Sequence, residues 1–210
     1  MTPVRTGIVV ALLLAAVPVG PAVACSVRSG YKVPTALDLA ATADAIVIAR
    51  IDGERKGPGE YDGTVLATPV AVLKGSTAPR RIELPDAFLA KGGEGAERSD
   101  PRELRAPHPG ALIGGCVRYR FPRGTRVLLF LKRDAGGHLV PYRSAFARDA
   151  EDVDGPDSLW AKTVREYVAI AASRARAPAM RQRIAALRAR GGADDIAIAS
   201  DMATELSRSR

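Results

Sequence analysis

Two hydrophobic periods divide this chain, and the change from one to the other falls at Asp157. Before it, Ala45 to Ile51, Thr64 to Leu73, Arg81 to Leu84, Thr125 to Lys132 and His138 to Tyr142 are short runs of apolar and β-branched residues. Asp52-Gly53, Gly57-Pro58-Gly59, Lys74-Gly75-Ser76 and Ala135-Gly136-Gly137 separate them, which reads as strands joined by tight turns. Val127-Leu128-Leu129-Phe130-Leu131 is the strongest strand, and Pro69 places the second strand at an edge or a bulge. Residues 35–43 read as a short helix, 85–115 as a long irregular loop, and Val117-Arg118-Tyr119 as a brief pairing just after it.

After Asp157, Leu159, Val164, Tyr167, Val168 and Ala171 recur at helical spacing, with Asp157 or Ser158 as N-cap. Met180, Ile184 and Leu187 mark a second helix between Pro178 and Gly191-Gly192. Ile196 to Leu206 marks a third, with Asp194 and Asp195 at the positive end of its dipole. The expected fold is mainly β with C-terminal α, the strands curling into a small barrel or sandwich ahead of a helical tail.

The N-terminus reads as an address. Arg5 supplies a positive region and Ile8 to Val17 an apolar stretch; Pro18, Gly20 and Pro21 follow, then the A-x-A site Ala22-Val23-Ala24. Residues 1–24 are therefore expected to be a signal peptide, and the mature protein to begin at Cys25 and lie in the periplasm or outside the cell. In an oxidising compartment the chain's two cysteines, Cys25 and Cys116, allow one intramolecular pairing. Such a bridge would stabilise the fold by roughly 4–5 kcal/mol through chain entropy. The competing reading is a lipoprotein acylated on Cys25, which excludes the bridge. Ala22, where lipoproteins usually carry Leu, favours the bridge.

Further along, Cys25-Ser26, Ala43-Asp44-Ala45-Ile46-Val47-Ile48-Ala49, Val72-Leu73-Lys74-Gly75, Gly115-Cys116, and Gly124 ahead of Val127-Leu128-Leu129-Phe130-Leu131 occur in an order that resembles the bacterial relatives of the netrin-like modules, the group that includes the tissue inhibitors of metalloproteinases. The resemblance covers about Cys25 to Tyr142. It implies a five-stranded OB-type β-barrel whose first cysteine is bonded to a later one; with the helical period that follows, residues 25–148 are expected to be the barrel domain and 149–210 a C-terminal helical segment. In the inhibitor branch the amine and carbonyl of the N-terminal cysteine ligate a protease zinc, and Cys25 and Ser26 would form that binding edge here. An α-amino group with a pKa of about 7.7–8 retains a neutral fraction able to donate a lone pair. The chain departs from the inhibitors at Val27, where they carry another cysteine, and in lacking their further bridges.

Other chemistries find little to work with. No CxxC, HxxxH or HExxH occurs, so no metal or cofactor is expected. There is no GxSxG elbow, and His108 and His138 read as loop histidines, so no enzyme is expected. Asp149 to Gly155 fails as a calcium loop because Ala150 and Ala161 would fall on ligand positions, which leaves a solvated acidic linker. Export and an aromatic content of 5% argue against nucleic acid. The acid-free stretch holding Arg174, Arg176, Arg181, Arg183, Arg188 and Arg190 reads as the outer face of a packed helix, or as a contact to an anionic surface through Arg181, Arg183, Arg188 and Arg190. The expected role is an exported, non-catalytic binding or structural module. Its partner would be a protein or cell-envelope component, with the membrane involved only through a lipid on Cys25 or the basic helix.

Overall fold

The computed structural model describes residues 27–59, 62–76, 79–90 and 97–208. The leader, Cys25 and Ser26 lie outside them. Helix α1 (Ala36–Thr42) opens on a capping box in which the Thr35 hydroxyl accepts from the Asp38 amide and the Asp38 carboxylate accepts from the Thr35 amide. Strands β1 (Ala45–Arg55), β2 (Thr64–Lys74), β3 (Ile82–Pro85), β4 (Phe88–Leu89), β5 (Arg120–Phe121), β6 (Arg126–Arg133), β7 (Leu139–Pro141) and β8 (Ala150–Asp152) follow. Helices α2 (Leu159–Ala171), α3 (Arg176–Arg190) and α4 (Ala193–Arg208) complete the chain.

The main sheet has six strands in the order β3-β2-β1-β6-β7, with β8 also paired to β6, and every pairing in it is antiparallel. Strands β7 and β8 share one edge of β6, meeting Leu131 to Arg133 and Val127 to Leu129 respectively. Between them residues 143–149 leave the ladder, held by the Phe130 amide donating to the Asp149 carbonyl. Strands β4 and β5 form a separate parallel pair, so the brief pairing expected at Val117 to Tyr119 falls at Arg120–Phe121 instead.

Alternation on β1 and β6 explains why both read as unbroken apolar runs. Ile46, Ile48, Leu128 and Phe130 face a core shared with α1, α2, α3 and α4. Val47, Ala49, Val127, Leu129 and Leu131 face a second core with Val65, Ile82, Leu84 and Phe121. A strand dry on both faces has no polar face to alternate. Register shifts on β1 beside Ile46/Val47, Ile48/Ala49 and Ile51/Gly53 bend the sheet around this second core, and the first strand runs through Asp52-Gly53 to Arg55. Pro69 sits opposite one of these shifts, beyond the last β2–β3 pair at Ala67, as its missing N–H requires.

The curl brings β3 and β7 into contact. Among the described residues no backbone ladder joins them, so the sheet is open where a closed barrel was expected. Both facing strands end on proline, Pro85 and Pro141, which has no N–H to pair. The helices are no detached tail, because they share the first core with the sheet. Pro178 lies within the first turn of α3, where its missing donor costs nothing, and α3 ends at Gly191 in the left-handed conformation at φ 72°.

Strand β2 also finishes α1. The Lys74 ammonium donates to the carbonyls of Ala40 (2.9 Å), Ala41 (3.3 Å) and Ala43 (2.6 Å), oxygens that the end of a helix leaves open. Replacing Lys74 by Met is expected to cost about 1–2 kcal/mol of unfolding free energy, read as a lower urea midpoint at unchanged m-value.

Candidate functional site

Of residues 149–155, read as a solvated linker, only Asp154 is exposed. Asp149, Glu151 and Asp152 are buried, and β8 places the last two against β6. Both carboxylates meet the same loop, with Ser99 bonding to each, while each has its own arginine. Glu151 accepts from the Ser99 hydroxyl (2.5 Å), the His108 amide (2.9 Å) and the Arg148 guanidinium (3.3 Å). Asp152 accepts from the Ser99 amide (2.9 Å) and from Arg118 (3.0 Å). Both ion pairs are almost fully shielded from solvent. Two arginines against two acids leave the cluster neutral, the condition under which buried charge is tolerable.

His108, read from sequence as a loop histidine, is buried at the centre of this cluster. Its Nδ1 accepts from the Gly110 amide at 2.9 Å, which places the ring proton on Nε2, 2.7 Å from the Glu97 carbonyl. Burial, followed by the Arg118 charge, pulls its pKa below the ordinary 6.5. Serine, histidine and aspartate thus meet, but the Ser99 hydroxyl donates to Glu151, and His108 Nε2 lies 3.6 Å from Asp152. No nucleophile-to-base hydrogen bond exists among these groups. The arrangement is a clamp that fastens the loop containing residues 97–108 to β8.

The clamp orients an apolar tip. From His108 a 3-10 turn (Pro109–Ala111) leads to Leu112 and Ile113, 59% and 62% exposed, and then to Gly114, Gly115 and Cys116. A side chain at Gly115 would meet the Tyr119 ring, since a Cβ there lies 2.7 Å from its Cδ1. Cys116 carries no free thiol. Its backbone is left-handed at φ 57°, as are Arg143 (51°) and Phe146 (57°), a conformation non-glycine residues rarely adopt. Two of the three are joined directly, because the Phe146 amide donates to the Cys116 carbonyl at 2.7 Å. Tyr31 donates its hydroxyl to the Ala145 carbonyl at 2.9 Å. Tyr31, Cys116 and residues 143–149 therefore converge.

Of the residues singled out in the sequence, Cys25 and Ser26 lie outside the described residues. Arg183 makes a two-pronged pair with Glu166 on α2, at 2.5 Å each. Arg190 pairs with Asp195 on α4, at 2.6 and 3.1 Å. These two therefore tie helices together. Arg181 and Arg188 are exposed and have no ion-pair partner among the described residues. Among those residues no group of three His, Cys, Asp or Glu side chains could hold a metal, and no helix is long and apolar enough to cross a membrane.

Arg118→Ala is expected to destabilise the fold by about 3–5 kcal/mol by leaving Asp152 buried and unpaired, measured by denaturant unfolding. Asp149 gives a pH signature. Burial pushes its carboxyl from 3.8 up to about 7, Glu151 adding to the rise while the Ser144 amide and Arg143 oppose it. Between those pH values the folded form holds one proton more than the unfolded form. The stability this group contributes is complete below about pH 4 and is lost as pH rises to 7, by up to about 1.4 kcal/mol per pH unit. Asp149→Asn should flatten that slope in unfolding measured from pH 4 to 8. No family model matches the chain, and no curated protein or solved structure matches it.

Proposed function

We propose that the protein is an exported, non-catalytic binding module of OB type. Its processed amino end is stapled by a Cys25–Cys116 disulfide and presents Cys25, Ser26 and Val27 beside Leu112 and Ile113. The observation that carries this reading is a Cys116 without a free thiol, in a chain with one other cysteine, immediately after two exposed apolar residues. Exposed aliphatic side chains side by side cost solubility, which suits a surface built to be covered. The β3-β2-β1-β6-β7 order, with its outer strands in contact around an apolar interior, supports a partly open five-stranded barrel with β8 added.

The partner is a protein or an envelope component. An inhibitor-like mode, with the Cys25 amine on a protease zinc, is one form of it. The alternative is an envelope lipoprotein acylated on Cys25, with Arg181 and Arg188, exposed and without an ion-pair partner among the described residues, supporting contact with an anionic surface.

Intact mass of the protein recovered from outside the cytoplasm separates these readings. The expected mass lacks residues 1–24 and two hydrogens; an added diacylglyceryl group would replace the bridged module with the lipoprotein. For the inhibitor mode, one extra residue ahead of Cys25 is expected to abolish inhibition of a zinc protease, and unchanged inhibition would remove the amine as ligand.

A further inference from the structure

We propose that residues 143–149 form a latch worked by a single proton: they hold Tyr31 and Cys116 while the Asp149 carboxyl is neutral, and open when it ionises. The latch is independent of what the protein binds.

The segment leaves the sheet between β7 and β8 and fastens other parts of the chain. Its Ala145 carbonyl accepts from Tyr31, ahead of α1, and its Phe146 amide donates to the Cys116 carbonyl. Arg143 donates to the Pro85 carbonyl at the end of β3. Arg143 and Phe146 are both left-handed, and so is Cys116 at the far end of the Phe146 bond. Residues other than glycine stay in that region only where their surroundings hold them, so the segment relaxes once its internal contact fails.

Asp149 supplies that contact. Its carboxylate folds back to accept from the Ser144 amide at 2.6 Å and closes the segment on itself. Nearby Glu151 and Asp152 each have an arginine, whereas Asp149, 6% exposed, has no ion-pair partner among the described residues. A buried carboxylate without a counter-charge is tolerated only as the neutral acid.

The groups around it do not supply the missing charge. Arg118 lines the same small cavity but is held by Asp152 at 3.0 Å. Arg148 is engaged by the Glu103 carbonyl and by Glu151. Tyr142 turns its hydroxyl to Thr42 at 2.8 Å, and Tyr31 stays a neutral phenol, raised by burial and by the Asp149 charge. Burial, with Glu151 adding to it, carries the Asp149 carboxyl up to about 7 against the Ser144 amide and Arg143. In an open, wet segment it returns to about 4. Between those values the closed form keeps a proton that the open form has lost. Opening therefore gains up to about tenfold per pH unit from 4 to 7 and nothing further above 7.

Hydrogen exchange of the intact ¹⁵N-labelled protein from pH 4 to 8, corrected for intrinsic chemical rates, tests this. Protection of the Ser144 and Phe146 amides is expected to fall up to about tenfold per pH unit between pH 4 and 7 and then level off. Sub-denaturing urea should leave it unchanged, as for a local opening that exposes little surface. The Ile48 and Leu129 amides, inside the ladder, should be better protected at every pH. Asp149→Asn should remove the pH slope, and Tyr31→Phe should lower protection about fivefold without changing the slope, the loss of one hydrogen bond. If Asp149→Asn does not fold, the wild-type profile and its urea response decide alone. Four results overturn the latch: protection independent of pH, Ser144 and Phe146 exchanging only as slowly and as urea-sensitively as Ile48 and Leu129, a slope kept in Asp149→Asn, or protection that Tyr31→Phe leaves intact.

Discussion

The structure around β8 depends on the burial of two acids that are neighbours in sequence. Glu151 and Asp152 put two charges into one dry site, so a single cation cannot neutralise both and each takes its own arginine. Arg148 and Ser99 close over Glu151, and Arg118 with the Ser99 amide over Asp152. Each partner fixes a stretch that has no regular structure of its own to hold it. Removing either arginine would leave a carboxylate in a dry site, at a cost well above what the pair itself contributes.

Two features adjoin that clamp. On one side His108, fastened to Glu151 through its amide, starts the turn that displays Leu112 and Ile113 ahead of Cys116. On the other side Arg148 lies over Trp160 at the start of α2, with one buried donor on each lacking a hydrogen-bond partner among the described residues. The sheet contributes rigidity: β1 and β6 are buried on both faces and cannot shift register without exposing one core or the other. Loops anchored to such a platform can carry exposed apolar groups in a fixed geometry.

Elements whose pattern is local were legible. Residues 35–43 read as the short helix α1, Leu159 to Ala171 repeats at helical spacing, and Val127 to Leu131 reads as the strongest strand. The missed features share one cause. Asp149 to Asp154 looks like solvated linker because a run of acids usually is; its burial rests on Arg118 and Ser99, 34 and 53 residues from Asp152. His108 between two prolines looks like a surface loop until the Glu97 carbonyl and the Gly110 amide close around it. Leu112-Ile113 did carry a signal, two large aliphatics inside a glycine- and proline-rich stretch, but exposure cannot be read from residue type alone.

Taken by itself, the order of residues determined the class of the longer strands and helices and the number of cysteines available for pairing, because these follow from backbone propensity and short-range spacing. Tertiary structure decided whether the sheet closes, which arginines of α3 are spent on other helices, and where charge is buried. Those outcomes depend on groups dozens of residues apart arriving within hydrogen-bonding distance, and a carboxylate is stable in the interior only when its counter-charge arrives with it.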